Sequence, residues 1–204
     1  MIAAIVPAAG RSERMGRPKL LLSIGGQTVI ARVITALRAG GADPVVVVVP
    51  PATVTGAADL AIEAGQGGAW VVVAEPPPPE MRASVERGLE RLRQTAAPKT
   101  LLLAPGDTPG MTSALVARVV ARAQAEPEAI VIPAWQGRRG HPIALPWPLA
   151  AEIPGLPPGM GINALVARYR DRVVTFEVDD PKMLDDLDSP DDYQRWIDRD
   201  RDCH

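Results

Sequence analysis

The sequence predicts a single three-layer α/β domain with a mixed, mostly parallel central sheet. Apolar runs that are typical of strands alternate with helical patterns along most of the chain. The run PVVVVVP, residues 44–50, is unbroken and β-branched, as expected for a strand buried on both faces of a parallel sheet. The length of 204 residues, of which 47% are apolar, suits one domain with a sizeable core.

Strands and helices are predicted to alternate through the first two thirds of the chain, the order that gives parallel pairing. Thr28 and Thr112 are predicted to cap two helices, the first of which ends at the glycines 40–41. Further helices are predicted around 57–64 and at 81–94. The predicted strands occupy residues 2–6, 44–50, 70–75, the start of 99–110, and 128–134.

The pattern changes after about residue 135. A turn leads into a short strand, and a helix, a last strand and a final helix follow. Ser189 is the expected N-cap of that final helix. These segments are residues 135–146, 160–171, 172–178 and 189–200. No repeat or long linker interrupts residues 1–204, so all of them are predicted to form one domain.

Charge and cysteine content narrow the function classes. The formal net charge of −2 argues against general binding of nucleic acid or of anionic membranes. Cys203 is the single cysteine, so no internal disulfide is possible, which fits a reducing cytoplasm. The apolar start of the chain is too short for a signal sequence or a membrane span. We expect a soluble, cytoplasmic protein.

The loop after the first strand, within PAAGRSERMGRPKLLL, is basic and glycine-rich. It fits neither the dinucleotide-binding glycine pattern nor the P-loop pattern. A loop of small residues at the carboxyl end of a first parallel strand exposes N–H groups that can bind a triphosphate. Arg14 and Lys19 add fixed positive charge there. The alternative is a surface turn with solvated charges.

The loop resembles the signature of the nucleotidyltransferases of the molybdenum-cofactor cytidylyltransferase and guanylyltransferase type. The positions in register are Gly10, Ser12, Arg14, Met15, Gly16, Pro18 and Lys19. The resemblance implies a Rossmann-like, nucleotide-diphospho-sugar transferase-like fold and transfer of a nucleotidyl group from an NTP to a phosphorylated small molecule. It implies a nucleotide site made of Ala8, Ala9, Gly10, Arg11, Ser12, Arg14, Lys19 and Ser84, and catalytic roles for Arg14, Lys19 and Asp107.

Two aspartate-containing motifs suggest a metal site. Asp107, in GDTP, follows a predicted strand at the sheet edge where ligands bind, and a carboxylate there can hold Mg²⁺. The motif resembles the family's metal motif, and the alternative is a turn in which the carboxylate bonds nearby N–H groups. DLDSPDDY resembles the family's closing stretch, which implies that Asp186 or Asp188 makes a second metal contact or a contact on the phosphate side. Asp191 and Asp192 are expected to favour the N-terminus of the last helix.

The remaining motifs concern the base and the acceptor. MRASVERGL resembles the segment that holds the base in cytidylyltransferases, with Ser84 as its hydroxyl and Arg82 near the phosphates. The alternative is an ordinary amphipathic helix. GRRGHP resembles the acceptor-side motif, which implies that His141 contacts the acceptor, and the alternative is a turn histidine. Residues 1–134 are thus the expected nucleotide-binding part and 135–204 the acceptor-side part. The stretch GMGINALVARY lacks the Asp and Arg usual beside the acceptor.

PAAG at the end of the first strand resembles cytidylyltransferases, so CTP is the expected nucleotide and Mg²⁺ the expected cofactor. Physically, the methyl group of Ala9 narrows the space for a base, although Ala9 can equally pack under the loop. Within the same class, a sugar- or polyol-phosphate nucleotidyltransferase is the alternative. From another class, a nucleotide-binding regulatory module without turnover is the alternative.

Overall fold

A computed structural model describes residues 1–10, 15, 18–95 and 97–201 of the chain. In this part of the chain ten strands form one large sheet and one small ribbon. They are β1 (Ile2–Pro7), β2 (Ser23–Ile24), β3 (Gln27–Thr28), β4 (Val45–Val49), β5 (Trp70–Val73), β6 (Thr100–Leu103), β7 (Ile130–Trp135), β8 (Arg138–Arg139), β9 (Ile143–Pro146) and β10 (Val173–Glu177).

The large sheet has the order β10-β7-β9-β6-β1-β4-β5, and β8 pairs with β7. Strands β6, β1, β4 and β5 are mutually parallel, and β10 is parallel to β7. Strand β9 runs antiparallel between β6 and β7. The mixed, mostly parallel sheet predicted from the sequence is therefore confirmed.

Seven α-helices connect and cover these strands in the described part of the chain. They are α1 (Val29–Ala39), α2 (Ala57–Gln66), α3 (Met81–Arg93), α4 (Ser113–Ala125), α5 (Trp147–Ala150), α6 (Ile162–Arg168) and α7 (Pro190–Arg201). The Thr28 hydroxyl accepts from the Ala31 amide and the Thr112 hydroxyl from the Leu115 amide, as the sequence predicted. None of the helices in these described ranges is long and apolar enough to cross a membrane.

The N-terminus of α7 has a reciprocal cap. The Ser189 hydroxyl accepts from the Asp192 amide at 3.2 Å, and the Asp192 carboxylate accepts from the Ser189 amide at 2.8 Å. Burial opposes the charged form of Asp192, but the hydrogen bonds outweigh it and lower the pKa of this carboxyl. The expected N-cap and the favourable charge at Asp192 are both confirmed.

The sheet separates two hydrophobic layers, and β1 contributes to both. Ala4, Val6 and Ala8 lie in the layer that contains α1 and α4, whereas Ile5 and Ala9 lie in the layer that contains α3. Successive side chains of a strand point to opposite faces, which explains this division. The end of β1 therefore presents one alanine to each layer.

Helix α3 packs closely on β1 because Gly88 has no side chain. A Cβ atom at Gly88 would lie 2.8 Å from Cγ2 of Ile5, which is fully buried. Gly65, near the end of α2, has nothing within 4 Å of the corresponding position. The same change in two helices therefore has different steric consequences.

We expect Gly88→Ala to lower the free energy of unfolding by about 1–3 kcal/mol, because the added methyl overpacks the interface with β1. Gly65→Ala is the matched control and should raise it by about 0.5–1 kcal/mol through helix propensity. Urea unfolding followed by circular dichroism measures both values. A stabilising Gly88→Ala would contradict the close packing of α3 on β1.

Candidate active site

The carboxyl ends of β1 and β6 lie side by side because these strands pair in parallel. The chain leaving β1 continues through residues 8–10, and the chain leaving β6 reaches Asp107. A third segment, 185–188, joins them, since the Leu187 amide donates to the Asp107 carbonyl at 3.0 Å. The Thr108 hydroxyl also donates to Asp186 Oδ1 at 3.1 Å. Segments from both halves of the chain thus meet at one sheet edge.

Gly110 allows the C-terminal segment to approach the loop after β6. A Cβ atom at this position would lie 2.0 Å from the Lys182 carbonyl oxygen. No side chain other than hydrogen fits such a close approach. The glycine at the end of GDTPG is therefore needed for close packing against the C-terminal segment.

Lys19 links the three segments electrostatically. Its Nζ donates to Asp107 Oδ2 at 2.6 Å and to Asp188 Oδ1 at 2.9 Å. The Lys19 side chain is 17% exposed, the Asp107 side chain 24% and the Asp188 side chain 55%. The ammonium group is therefore partly buried between two carboxylates that come from different motifs.

The surroundings shift the pKa values of this cluster. Burial alone lowers the pKa of Lys19, but the charges of and hydrogen bonds to Asp107 and Asp188 outweigh it, so the pKa is raised overall. Partial burial raises the pKa of Asp186, and the charge of Asp107 adds to this, against the hydrogen bond from Thr108. Lys19 is therefore cationic at neutral pH, and among the described residues it lies close to Asp107 and Asp188.

The aspartates fit a divalent cation only with additional ligands. Within the described residues, no group of three or more His, Cys, Asp or Glu side chains is arranged to hold a metal. Asp107 and Asp188 nevertheless already share one cation, the Lys19 ammonium. Mg²⁺ is commonly bound by one or two carboxylates, with water and phosphate oxygens completing its shell. This donor set fits such an ion.

A cleft of about 450 Å³ opens beside the end of β1. Its walls include Ala9 and Gly10 from that end and Ser84 from α3, with residues 77–81 between them. Ser84 is almost fully buried. The cleft brings together three residues predicted to bind the nucleotide. The prolines 77–79 line the same cleft but were not among the predicted site residues, although their place directly before the predicted base-binding helix was a usable signal.

Arg82 binds protein groups in this structure. Its Nη1 donates to the backbone carbonyls of Leu156, Pro157 and Met160 at 2.8–3.1 Å. Its guanidinium also pairs with Glu80 at 3.4 Å and with Glu86 at 3.2 Å. Of the two roles considered, the structure supports the structural one, which ties the start of α3 to the segment before α6.

His141 lies near the same sheet edge, at the turn before β9. Its Nδ1 atom is buried and has no hydrogen-bond partner among the described residues. Burial lowers the pKa of His141, although the charge of Asp107 and the Leu103 backbone act in the opposite direction. The imidazole is therefore neutral at pH 7.

Arg11, Ser12 and Arg14, which the family resemblance implies for the nucleotide site, lie outside the described residues. The stretch that departs from the family pattern after residue 158 forms a turn and helix α6. It was predicted to be helical over 160–171, and the helix is shorter and is followed by a 3-10 turn at Arg170–Arg172.

The neutral state of His141 has a measurable consequence. The native protein binds fewer protons at His141 than the unfolded chain does below pH 6.5, so this residue reduces stability as the pH falls. The chain has two histidines, so His204→Gln leaves a single imidazole to follow by NMR. We expect its titration midpoint below about 6.5. Asp107→Asn should lower that midpoint further, because it removes a negative charge. A midpoint above 6.5 would contradict the buried, neutral imidazole.

Residues 4–173 match the family model of the MobA-like NTP transferase domain. A molybdenum cofactor guanylyltransferase of Sinorhizobium fredii is 32% identical over 152 residues, which are 72% of this chain and 63% of that protein. A 2-C-methyl-D-erythritol 4-phosphate cytidylyltransferase of Frankia casuarinae is 44% identical over 62 residues, 29% of this chain and 23% of that protein. The chain thus matches less than two thirds of the length of these relatives.

The crystal structure of Rv0371c from Mycobacterium tuberculosis superimposes with a TM-score of 0.81 at 28% identity, covering 97% of each chain. A manganese complex of the same protein gives a TM-score of 0.75 at 26% identity, covering 97% of this chain and 98% of that one. The nucleotide-diphospho-sugar transferase-like fold implied by the opening loop is confirmed. By its match over most of its length and by this fold, the chain belongs to the MobA-like NTP transferase domain family.

Proposed function

We propose that this protein is a nucleotidyltransferase that transfers CMP from CTP to a phosphorylated small molecule and releases pyrophosphate. The observation that carries the proposal is the 2.6 Å contact between Lys19 and Asp107. Each residue comes from a motif that resembles the family's, and they lie 88 positions apart in the chain. The cleft lined by Ala9, Gly10 and Ser84 opens at the end of β1, and β1 pairs with β6, the strand that leads to Asp107.

The proposed chemistry is an in-line attack of an acceptor phosphate oxygen on the α-phosphorus of the nucleotide. A new P–O bond forms there, and the bond from the α-phosphorus to the bridging oxygen breaks. Pyrophosphate leaves with the bonding electrons. A phosphate monoester has a second pKa of about 6, so the nucleophile is largely ionised at neutral pH. The reaction needs no protein base, which suits a chain with only two histidines.

Fixed positive charge is the proposed source of rate enhancement. Lys19, with Arg14 from the same loop, would bind the triphosphate oxygens on which charge develops. Asp107, together with Asp186 and Asp188, would hold Mg²⁺. When bound, such an ion neutralises phosphate charge and orients the phosphoryl oxygens. The manganese complex of Rv0371c supports a divalent cation in this family.

The preference for CTP rests on PAAG at the end of β1. Ala9 is 6% exposed, lines the cleft and packs in the core layer of α3, so its methyl group limits the space beside Gly10. A glycine there would widen the space toward the size of a purine. The second candidate nucleotide is GTP, because the relative from S. fredii is a guanylyltransferase.

The acceptor is the less constrained substrate. We propose that residues 135–204 bind the acceptor and that His141 contacts it. The proposed acceptor is of the molybdenum-cofactor type and carries a phosphate. A sugar or polyol phosphate is the alternative acceptor, and a regulatory module that binds nucleotide without turnover is the alternative function. The near-neutral charge supports a reaction without nucleic acid or membrane partners, and the single cysteine fits the cytoplasm that we propose for it.

A pyrophosphate-release assay tests the reaction class. We expect release with CTP, Mg²⁺ and a phosphorylated acceptor from a panel of cofactor, sugar and polyol phosphates. Lys19→Ala should lower kcat/KM by about 100-fold or more, because it removes a charge that contacts the triphosphate. Asp107→Asn should weaken the dependence of the rate on Mg²⁺. Lys99→Ala, which changes an exposed lysine, is the matched control.

The regulatory alternative predicts another result: nucleotides bind, but no acceptor in the panel yields pyrophosphate. Wild-type rates in Lys19→Ala would reject the proposed role of the loop. Thermal denaturation checks that each variant is folded. This check is needed because Lys19 is partly buried and its loss removes the ammonium partner of Asp107.

The nucleotide preference has a separate test. Ala9→Gly should shift the ratio of CTP to GTP affinity toward GTP, on the order of tenfold, the scale of one methyl group in a binding pocket. Ala42→Gly is the matched control, because Ala42 is also a buried alanine but lies before β4, at the sheet edge opposite the cleft. Calorimetric titration with CTP, GTP, ATP and UTP at equal Mg²⁺ gives the ratios. Tighter binding of GTP than CTP by the unaltered protein would overturn the preference.

A further inference from the structure

Two carboxylates bind the same cationic group in this structure. Asp107 Oδ2 and Asp188 Oδ1 both lie within 3 Å of the Lys19 ammonium nitrogen. Their oxygens are the ligands that a divalent cation needs at this edge, as argued above. An ion bound by both of them must take the place of the ammonium group, because the same oxygen atoms cannot bind both cations at full strength.

The position of Lys19 allows such an exchange without rearrangement of the fold. Lys19 begins a 3-10 turn, Lys19–Leu21, whose neighbouring residue Leu20 is buried in the core. The backbone is thereby anchored, while four methylene groups carry the ammonium. Only the end of the side chain has to move between the carboxylates and a phosphate bound at the end of β1.

We propose that Lys19 holds the cation position of Asp107 and Asp188 in the nucleotide-free protein, and that the metal enters as its complex with the nucleoside triphosphate. The triphosphate supplies anionic oxygens to which the ammonium transfers, and it supplies the ligands that the described residues lack. A metal ion without nucleotide brings no anionic oxygens for the ammonium and no further ligands for itself, so it binds weakly. This inference rests on the proposed nucleotidyl transfer and specifies the form in which its substrate binds.

The charge balance explains the direction of the exchange. Asp107, Asp186 and Asp188 lie at this edge, and Lys19 pairs with two of them. Removing the ammonium leaves carboxylates that repel one another and attract any available cation. A lysine that merely stabilised the fold would have a different signature, because its loss would lower stability without creating a stronger metal site.

The test measures binding of Mn²⁺ by electron paramagnetic resonance in the absence of nucleotide. We expect Lys19→Met to bind Mn²⁺ at least about tenfold more tightly than the unaltered protein, because a unit positive charge in contact with the ligands is removed. Lys99→Met changes an exposed lysine and should leave the affinity unchanged. Adding Asp107→Asn to Lys19→Met should abolish the gain.

A second arm adds a CTP analogue with a methylene group between its α- and β-phosphorus atoms. With this analogue present, the unaltered protein should bind Mn²⁺ at least about tenfold more tightly than the protein alone or the analogue alone, since carboxylate and phosphate oxygens then share the ion. Lys19→Gln, which keeps a polar side chain without charge, replaces Lys19→Met if that variant does not fold. Equal Mn²⁺ affinity of the folded lysine variants and the unaltered protein would overturn the inference.

The two proposals fail in different ways. If pyrophosphate is released but the lysine variants gain no Mn²⁺ affinity, the proposed function remains and the exchange of cations is rejected. If the lysine variants gain affinity but no NTP and acceptor give pyrophosphate, the cation site stands and the proposed transfer is rejected. Neither measurement depends on the outcome of the other.

Discussion

Parallel pairing of β1 on both of its sides is the constraint on which the geometry of the site depends. β1 pairs with β4 through Pro7 and Val48, and with β6 through Ile5 and Leu103. Because all three strands run in one direction, their carboxyl ends open at the same edge. Residues that are remote in the chain, such as Lys19 and Asp107, come into contact only because these strand ends are neighbours.

The elements with continuous apolar patterns were predictable. The strand β4 is five consecutive buried valines, for which a central parallel strand is the natural environment. The position of β9 between β6 and β7 was not predictable, because a short apolar run indicates a strand but not its neighbours. The ribbon of β2 and β3 was missed, since two-residue strands have no measurable alternation.

The site was predictable where a motif names a side chain, and unpredictable where a contact uses the backbone. The motifs indicated Lys19, Asp107 and Asp188, which the structure brings into contact. The partners of Arg82 are carbonyl groups, which any residue carries, so no sequence pattern indicates them. The sharing of Lys19 by two carboxylates was likewise a matter of three-dimensional position.

The segment after β10 combines core packing with charge. Val178, Met183 and Leu187 fill the core layer of α1, while Asp186 and Asp188, in the same short stretch, lie at the open edge. The family match ends at residue 173, before this segment begins. In evolutionary terms, the negative charge opposite Lys19 is encoded apart from the opening loop. Selection can therefore change Asp186 and Asp188 without altering the loop after β1, provided that the three apolar side chains keep the segment in place.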